Sequence, residues 1–264
     1  PDGRYWRAFN FIENAITYQT AAKPEHFYYA GCAFGRFQKL LADYPSATLH
    51  ETIPNFHNTA SRYRDFEAAV AENVSGRAAA VAEEIAFVRA RKDDMGILVD
   101  KLAAGELPLR VTHNDTKLNN VMLDDVTSRP VCVIDLDTVM PGLSLYDFGD
   151  SIRFGSNPAA EDERDLSKVY CDLGLFEQYT RGFLEECGDM LTPEEIRLLP
   201  FSAKMMTLEC GMRFLADHIA GDTYFKIHRP GHNLDRCRTQ FKLVADMEKK
   251  MDDMAAIVNH CLKK

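Results

Sequence analysis

Three oxygen-bearing side chains stand at spacings that suit the transfer of a phosphoryl group. His113-Asn114-Asp115-Thr116-Lys117-Leu118-Asn119-Asn120 is followed by Val131-Cys132-Val133-Ile134-Asp135. Transfer to a hydroxyl requires an acceptor for the hydroxyl proton, cations to offset the phosphate oxygens, and carboxylate or amide ligands for Mg²⁺. Asp115 is placed as the base, Asn120 as a metal ligand five residues on, and Asp135 as the principal metal ligand. Lys117 is either a point cation for the transferred phosphate or a solvated loop lysine. His113 reads as a loop anchor without chemistry. Asp137 is either a further ligand or a strand-end turn residue, and Asp150 reads as a helix-face charge. Asp and Asn also suit turns and caps, but three matched spacings around one hairpin favour the chemical reading.

The elements on either side explain how these residues converge. Leu107 to Thr112 reads as a strand entering the His113 loop, and Asn120 to Leu123 and Val131 to Ile134 as a hairpin around the polar turn Asp124 to Pro130. A short loop between strands turns Asp115 and Asn120 to one cleft, and the hairpin returns the chain so that Asp135 emerges beside Asn120. Helices surround this hairpin. Pro24 to Tyr44 carries Phe27, Ala30, Phe34, Phe37, Leu40 and Leu41 at helical spacing behind a proline suited to a first turn. Ser61 to Ala71, Ser75 to Lys92, and the segments around 145–153, 161–185, 193–220 and 234–261 are helical by pattern, whereas Ile53 to Asn58, Ser156 to Pro158 and Tyr224 to Asn233 are loops. The expected class is α+β, mostly helical with a small catalytic hairpin.

The aromatic-dense stretch Tyr5 to Glu13, preceded by Asp-Gly, reads as a strand. It has no strand neighbour before residue 109, so it needs further sheet upstream or packs elsewhere. The opening Pro1-Asp2-Gly3, without Met, is expected to lie inside a longer protein.

A formal net charge of -9 argues against a nucleic-acid or anionic-membrane surface, either of which needs a basic face. A local basic pocket for a nucleotide remains compatible with it. Seven scattered cysteines with no C-x-x-C pair fit reduced thiols better than a disulfide framework. No stretch of 18 apolar residues and no signal peptide is present, so a cytoplasmic location is expected.

The H-x-D-x-x-x-x-N pattern followed by a strand and Ile134-Asp135 resembles the catalytic signature of the aminoglycoside phosphotransferase and choline kinase superfamily, relatives of protein kinases. The resemblance covers most of residues 5–245. It implies the C-terminal lobe of a protein-kinase-like fold, using ATP and Mg²⁺ on a small-molecule substrate. Residues 1–14 would be the last strand of an N-terminal lobe and the hinge, with Phe11, Ile12 and Glu13 meeting adenine, and residues 15–264 the C-terminal lobe. The rest of the N-terminal lobe, with its phosphate-covering hairpin and strand lysine, would be absent from this chain. Asp147-Phe148-Gly149 spells the protein-kinase metal motif, but lies past the hairpin. In the superfamily Asp147 resembles a residue that bonds the backbone of the catalytic loop.

A finer resemblance is to N-acetylhexosamine 1-kinases, carried by Ile53 to Thr59, by the loop from Asp115 to Asn120, and by Arg213 to Asp217 with Gly221 to Phe225. It implies an anomeric hydroxyl as acceptor. Neutral sugars are recognised by convergent polar groups beside an aromatic wall, and His57, Asn58, Arg213 and Tyr224 are the candidates, together with Asp115. His57 and Asn58 are otherwise loop-stabilising residues, and Arg213 a salt-bridge partner of Glu209 or Asp217. The competing expectations are a kinase for an aminoglycoside, choline or homoserine, and a non-catalytic binding module.

Overall fold

The computed structural model describes Gly3, residues 6–21 and residues 23–263. In chain order the elements are β1 (Ala15–Ile16), α1 (Pro24–Leu40), α2 (Thr59–Glu72), α3 (Ala82–Arg89), α4 (Ile97–Ala103), β2 (Arg110–Thr112), β3 (Val121–Asp124), β4 (Pro130–Val133), β5 (Met140–Gly142), α5 (Ser144–Gly155), α6 (Leu173–Cys187), α7 (Pro193–Ala220), α8 (His232–Lys249) and α9 (Met251–Cys261). The expected α+β class, helical with a small sheet, is what forms.

The hairpin is β3–β4, antiparallel with Val121 opposite Val133 and Met122 opposite Cys132. β1 joins it at β3, and β2 pairs separately with β5, Thr112 opposite Met140. β5 is absent from the sequence reading because Met140-Pro141-Gly142 has neither strand length nor strand composition. Its pairing comes from β2 across the catalytic loop.

α2, α5, α8 and α9 pack against α7, which runs 28 residues from a capping box of Thr192 and Glu195 to a left-handed Gly221. Elsewhere, α1 and α6 meet almost backbone to backbone. A Cβ on Gly31 would strike the carbonyl of Tyr179, one on Gly35 that of Phe183, and one on Gly182 that of Tyr28. Phe148 is fully buried among Phe176, Tyr179 and Phe183, with ring centroids 5.4–6.0 Å apart. The phenylalanine of the Asp-Phe-Gly triplet is therefore a core anchor for α5, at the aromatic separations expected of a packed cluster.

Several expectations are corrected. Of the strand expected over Tyr5 to Glu13, residues 6–13 are irregular, with Trp6, Phe9 and Phe11 exposed, and Tyr5 lies outside the described residues. Aromatic content alone makes no strand without a ladder partner, and the pairing falls instead at Ala15–Ile16. The helix expected over 161–185 begins only at Leu173, where Asp172 caps it through the amides of Gly174 and Leu175. The stretch before it is dense in charge and has no apolar stripe. The 75–92 helix is broken, with a 3₁₀ turn at Ala78–Val81 before α3, and 234–261 divides at Lys250 into α8 and α9.

Candidate active site

The loop that carries Asp115, the candidate base, is held from both sides. Asn114 takes a left-handed conformation, φ 65°, and its side chain fixes the turn by bonding the carbonyls of Thr112 and Thr138 and accepting from the hydroxyl of Thr112. Asp147, fully buried at the start of α5, accepts from the backbone N–H of His113 at 2.9 Å, from that of Asn114 at 2.8 Å and from Gln38 of α1 at 2.8 Å. Burial pushes its carboxyl up, and these donors, with His113, oppose that by favouring the ionised form. The Asp-Phe-Gly aspartate therefore supports the loop. His113 is an anchor, its ring edge-on to Phe34 and Phe37 and its Nε2 at 2.9 Å from the carbonyl of Ile134.

Asp115 emerges from this turn with its side chain about a quarter exposed. Its Oδ1 is 2.8 Å from the Lys117 ammonium and its Oδ2 accepts from Asn120 Nδ2 at 3.2 Å. Burial works against the charge on Lys117, but Asp115 and then Asp150 hold its pKa above the ordinary lysine value. Lys117 is thus a partly buried cation beside Asp115. Asn120 also donates to the carbonyl of Asp115 at 2.8 Å, and its own carbonyl accepts from Ile134 N at 2.9 Å. That bond extends the β3–β4 ladder by one step and sets Asp135 next to Asn120.

Asp135 is exposed and left-handed, φ 61°, an uncommon conformation for a non-glycine residue. Among the described residues, neither its carboxylate nor Oδ1 of Asn120 takes a hydrogen bond. A carboxylate and an amide oxygen that take no hydrogen bond among the described residues fit Mg²⁺, which takes one or two protein ligands and fills its shell with phosphate oxygens and water. No cluster of three or more His, Cys, Asp or Glu suited to a metal occurs among the described residues, consistent with so sparse a set. Asp137 is paired with Arg7 at 2.5 and 2.7 Å, which commits it to the N-terminal segment.

A cavity of about 500 Å³ opens beside Asp115 and Lys117. His57, Asp150, Arg153, Glu209, Arg213 and Tyr224 line it, along with Phe56 and Phe225. The sequence candidates separate here. Arg213 forms no ion pair among the described residues, because Glu209 is taken by His57 and Thr59, and Asp217 by the amides of Thr223, Tyr224 and Phe225. Its guanidinium lies 5.3–5.8 Å from the ring centroids of Phe56, Tyr224 and Phe225, within cation–π range. His57 lines the cavity, but both its ring nitrogens are engaged, with Glu209 at 2.8 Å and the Asn114 carbonyl at 3.0 Å. Asn58 is outside the lining; its Oδ1 accepts from Ser61 N as the N-cap of α2, and its amide reaches Asn55. Phe11 and Glu13 are exposed and Ile12 half-buried, none of them among the lining residues.

Asp150, expected as a helix-face charge, is buried and lines the cavity. It accepts from Thr116 N at 3.1 Å and from Arg153 Nε at 2.7 Å. Burial disfavours its ionisation, yet Arg153, Lys117 and His57 hold its carboxyl below the ordinary aspartate range. Its spacing of three residues from Asp147 on one helix face is the signal that would have found it. Glu209 carries a comparable signal, one turn before Arg213 on α7. A larger groove of about 580 Å³ between α3 and α8 contains none of these residues.

The chain belongs to the phosphotransferase enzyme family, whose model matches residues 2–182. Its fold is kinase-like, shared with solved structures of low sequence identity. A microcompartment-associated aminopropanol kinase matches with TM-score 0.53 and 17% identity, covering 92% of this chain and 65% of that one. A choline/ethanolamine kinase family protein from Mesorhizobium loti matches at 0.52 and 19%, covering 95% and 73%. An ethanolamine kinase from Plasmodium vivax matches at 0.53 and 14%, covering 87% and 64%. The chain thus spans about two thirds of their lengths.

Proposed function

We propose that this chain is the acceptor-binding lobe of an ATP-dependent kinase that phosphorylates the anomeric hydroxyl of a neutral N-acetylhexosamine, giving a sugar 1-phosphate. In this reading residues 1–14 are the end of an N-terminal lobe and its hinge, with Phe11, Ile12 and Glu13 facing adenine, and residues 15–264 are the C-terminal lobe. Asp115 orients the acceptor hydroxyl and takes its proton as the oxygen attacks the γ-phosphorus. Lys117, already beside that carboxylate, offsets charge on the transferred group. Asn120 and Asp135 would hold Mg²⁺, which supplies neutralisation and orientation of the phosphate oxygens. Each of these effects works by positioning and electrostatics, as the chemistry demands.

The observation that carries the acceptor class is Arg213. An ammonium acceptor is recognised by aromatic faces and carboxylates, and in this cavity Arg213 already occupies the rings of Phe56, Tyr224 and Phe225. The carboxylates are engaged as well, Asp150 with Arg153, Glu161 with Arg153, and Glu209 with His57. A cationic acceptor would meet a guanidinium that has no ion pair among the described residues. A neutral polyhydroxyl acceptor instead finds hydrogen-bond donors, Arg213 among them.

The test is turnover of the full-length protein with ATP and Mg²⁺ against a panel of N-acetylhexosamines, choline, ethanolamine, homoserine and an aminoglycoside. The expected result is ADP release with N-acetylhexosamines and a phosphate on the anomeric oxygen, identified by ³¹P NMR. Preference for an amine would overturn the acceptor assignment, and no transfer to any member would overturn the kinase reading.

A further inference from the structure

His57 is 8% exposed, and its ring bridges two elements. Nε2 is 3.0 Å from the backbone carbonyl of Asn114, which can only accept, so that nitrogen carries a proton. Nδ1 is 2.8 Å from Glu209 Oε1, while the other Glu209 oxygen accepts from the Thr59 hydroxyl at 2.6 Å. The proton between the two groups belongs to either the imidazole or the carboxyl. Burial works against either charge, but His57 and Glu209 each favour the charged form of the other. The Asn114 carbonyl and Asp150 of α5 add to the imidazole, and Thr59 and Arg213 of α7 to the carboxylate, so the contacts favour an ion pair. The remaining neighbours of the ring are Phe56 at 4.5 Å and Tyr146 of α5 at 5.4 Å between centroids.

We infer that His57 is a positioning residue, a buried imidazolium that ties the carbonyl next to the base Asp115 to Glu209 of α7. This rests on the assignment of Asp115 as base. The loop's other main-chain groups are pinned from near at hand: Thr138 donates to the carbonyl of His113, Asn120 to that of Asp115 and Ser151 to that of Thr116. His57 pins the carbonyl of Asn114 from the acceptor side of the cavity. Its neighbour Phe56 packs on Arg213, one helical turn after Glu209 on α7. Phe56 and His57 therefore connect the acceptor wall to the base in two consecutive residues. With the clamp removed, the left-handed turn at Asn114 loses a fixed point and Asp115 can shift relative to the acceptor hydroxyl.

¹⁵N NMR of the histidine-labelled protein reads this directly. Both ring nitrogens of His57, assigned by loss of the signal in His57→Gln, should be protonated near pH 6, below the ordinary imidazole value of 6.5, and Glu209→Gln should return the ring to one neutral tautomer. An unprotonated Nδ1 in the wild type would overturn the proposal. In the full-length protein the double variant His57→Gln/Glu209→Gln, which leaves no buried unpaired charge, should lower kcat about 10- to 100-fold, the scale of a misplaced catalytic group, with KM for ATP unchanged. Wild-type kcat in a folded double variant would equally overturn it. Should the wild type transfer phosphate to no acceptor, the kinase reading fails, and the NMR result still decides the protonation and the clamp.

Discussion

At the scale of single residues, the site is a set of side chains with different numbers of free atoms. Asp115 has one partner on each oxygen, Lys117 and Asn120, and in the proposed reaction would exchange one of them for a hydroxyl. Asp135 takes no hydrogen bond among the described residues, while Asp147 and Asp150 are filled by donors from the loop they hold. The same residue type is thus available as proposed base, candidate metal ligand and scaffold according to its partners. Asp115→Asn in the full-length protein keeps the shape and removes the proton acceptor. Turnover should fall by about 10²- to 10⁴-fold, the usual contribution of a general base, with ATP affinity by calorimetry unchanged; retained turnover would reassign the base.

At the scale of elements, the loop is positioned by α5, and α5 is positioned by packing. Phe148 anchors it in the aromatic cluster of α6, and Gly149 sits against the Ser202 carbonyl of α7 where a Cβ would not fit. α1 contributes Gln38 to Asp147, and its own place depends on Gly31 and Gly35 against α6. Gly31→Val should therefore separate α1 from α6. The expected loss is about 1–3 kcal/mol for overpacking of this kind, or roughly 2–10 °C in Tm for a chain of this size, measured by differential scanning fluorimetry. An unchanged Tm would show that the backbones are not held so close.

At the scale of the whole molecule, the acidic balance of -9 conceals a cavity in which Lys117, Arg153, Arg213 and a charged His57 gather. The buried His57–Glu209 pair gives stability a pH dependence with two limbs. Burial works against the charge on His57, but Glu209 raises its pKa above the ordinary 6.5, so its contribution is complete below that value and is lost as pH rises through the folded one. Burial likewise opposes ionisation of Glu209, but His57 lowers its pKa below the ordinary 4.5, so its contribution is complete above that value and is lost on acidification. The pair supports the fold most fully between about 4.5 and 6.5. Tm measured across pH should decline on the alkaline side in the wild type, with a shallower slope in the double variant His57→Gln/Glu209→Gln; equal slopes would count against the ion pair.

The sequence by itself determined the parts whose signals are local. The spacing of Asp115, Asn120 and Asp135 around a hairpin is a short-range pattern, as are the apolar period of α1 and the loop nature of residues 53–58. The structure alone decided what depends on partners distant along the chain. β5 exists because β2 lies beside it, and the aromatic residues at 6, 9 and 11 form no strand among the described residues because no ladder meets them. Arg213 escapes the helical ion pairs its spacing suggests, since His57 and the amides of residues 223–225 reach Glu209 and Asp217 first. Asp150 reads only as a helix-face charge because sequence records its place on a helix but not that α5 turns that face toward Thr116 and Arg153. Each such outcome is a competition for hydrogen bonds and charges among groups that only the packed chain brings within reach.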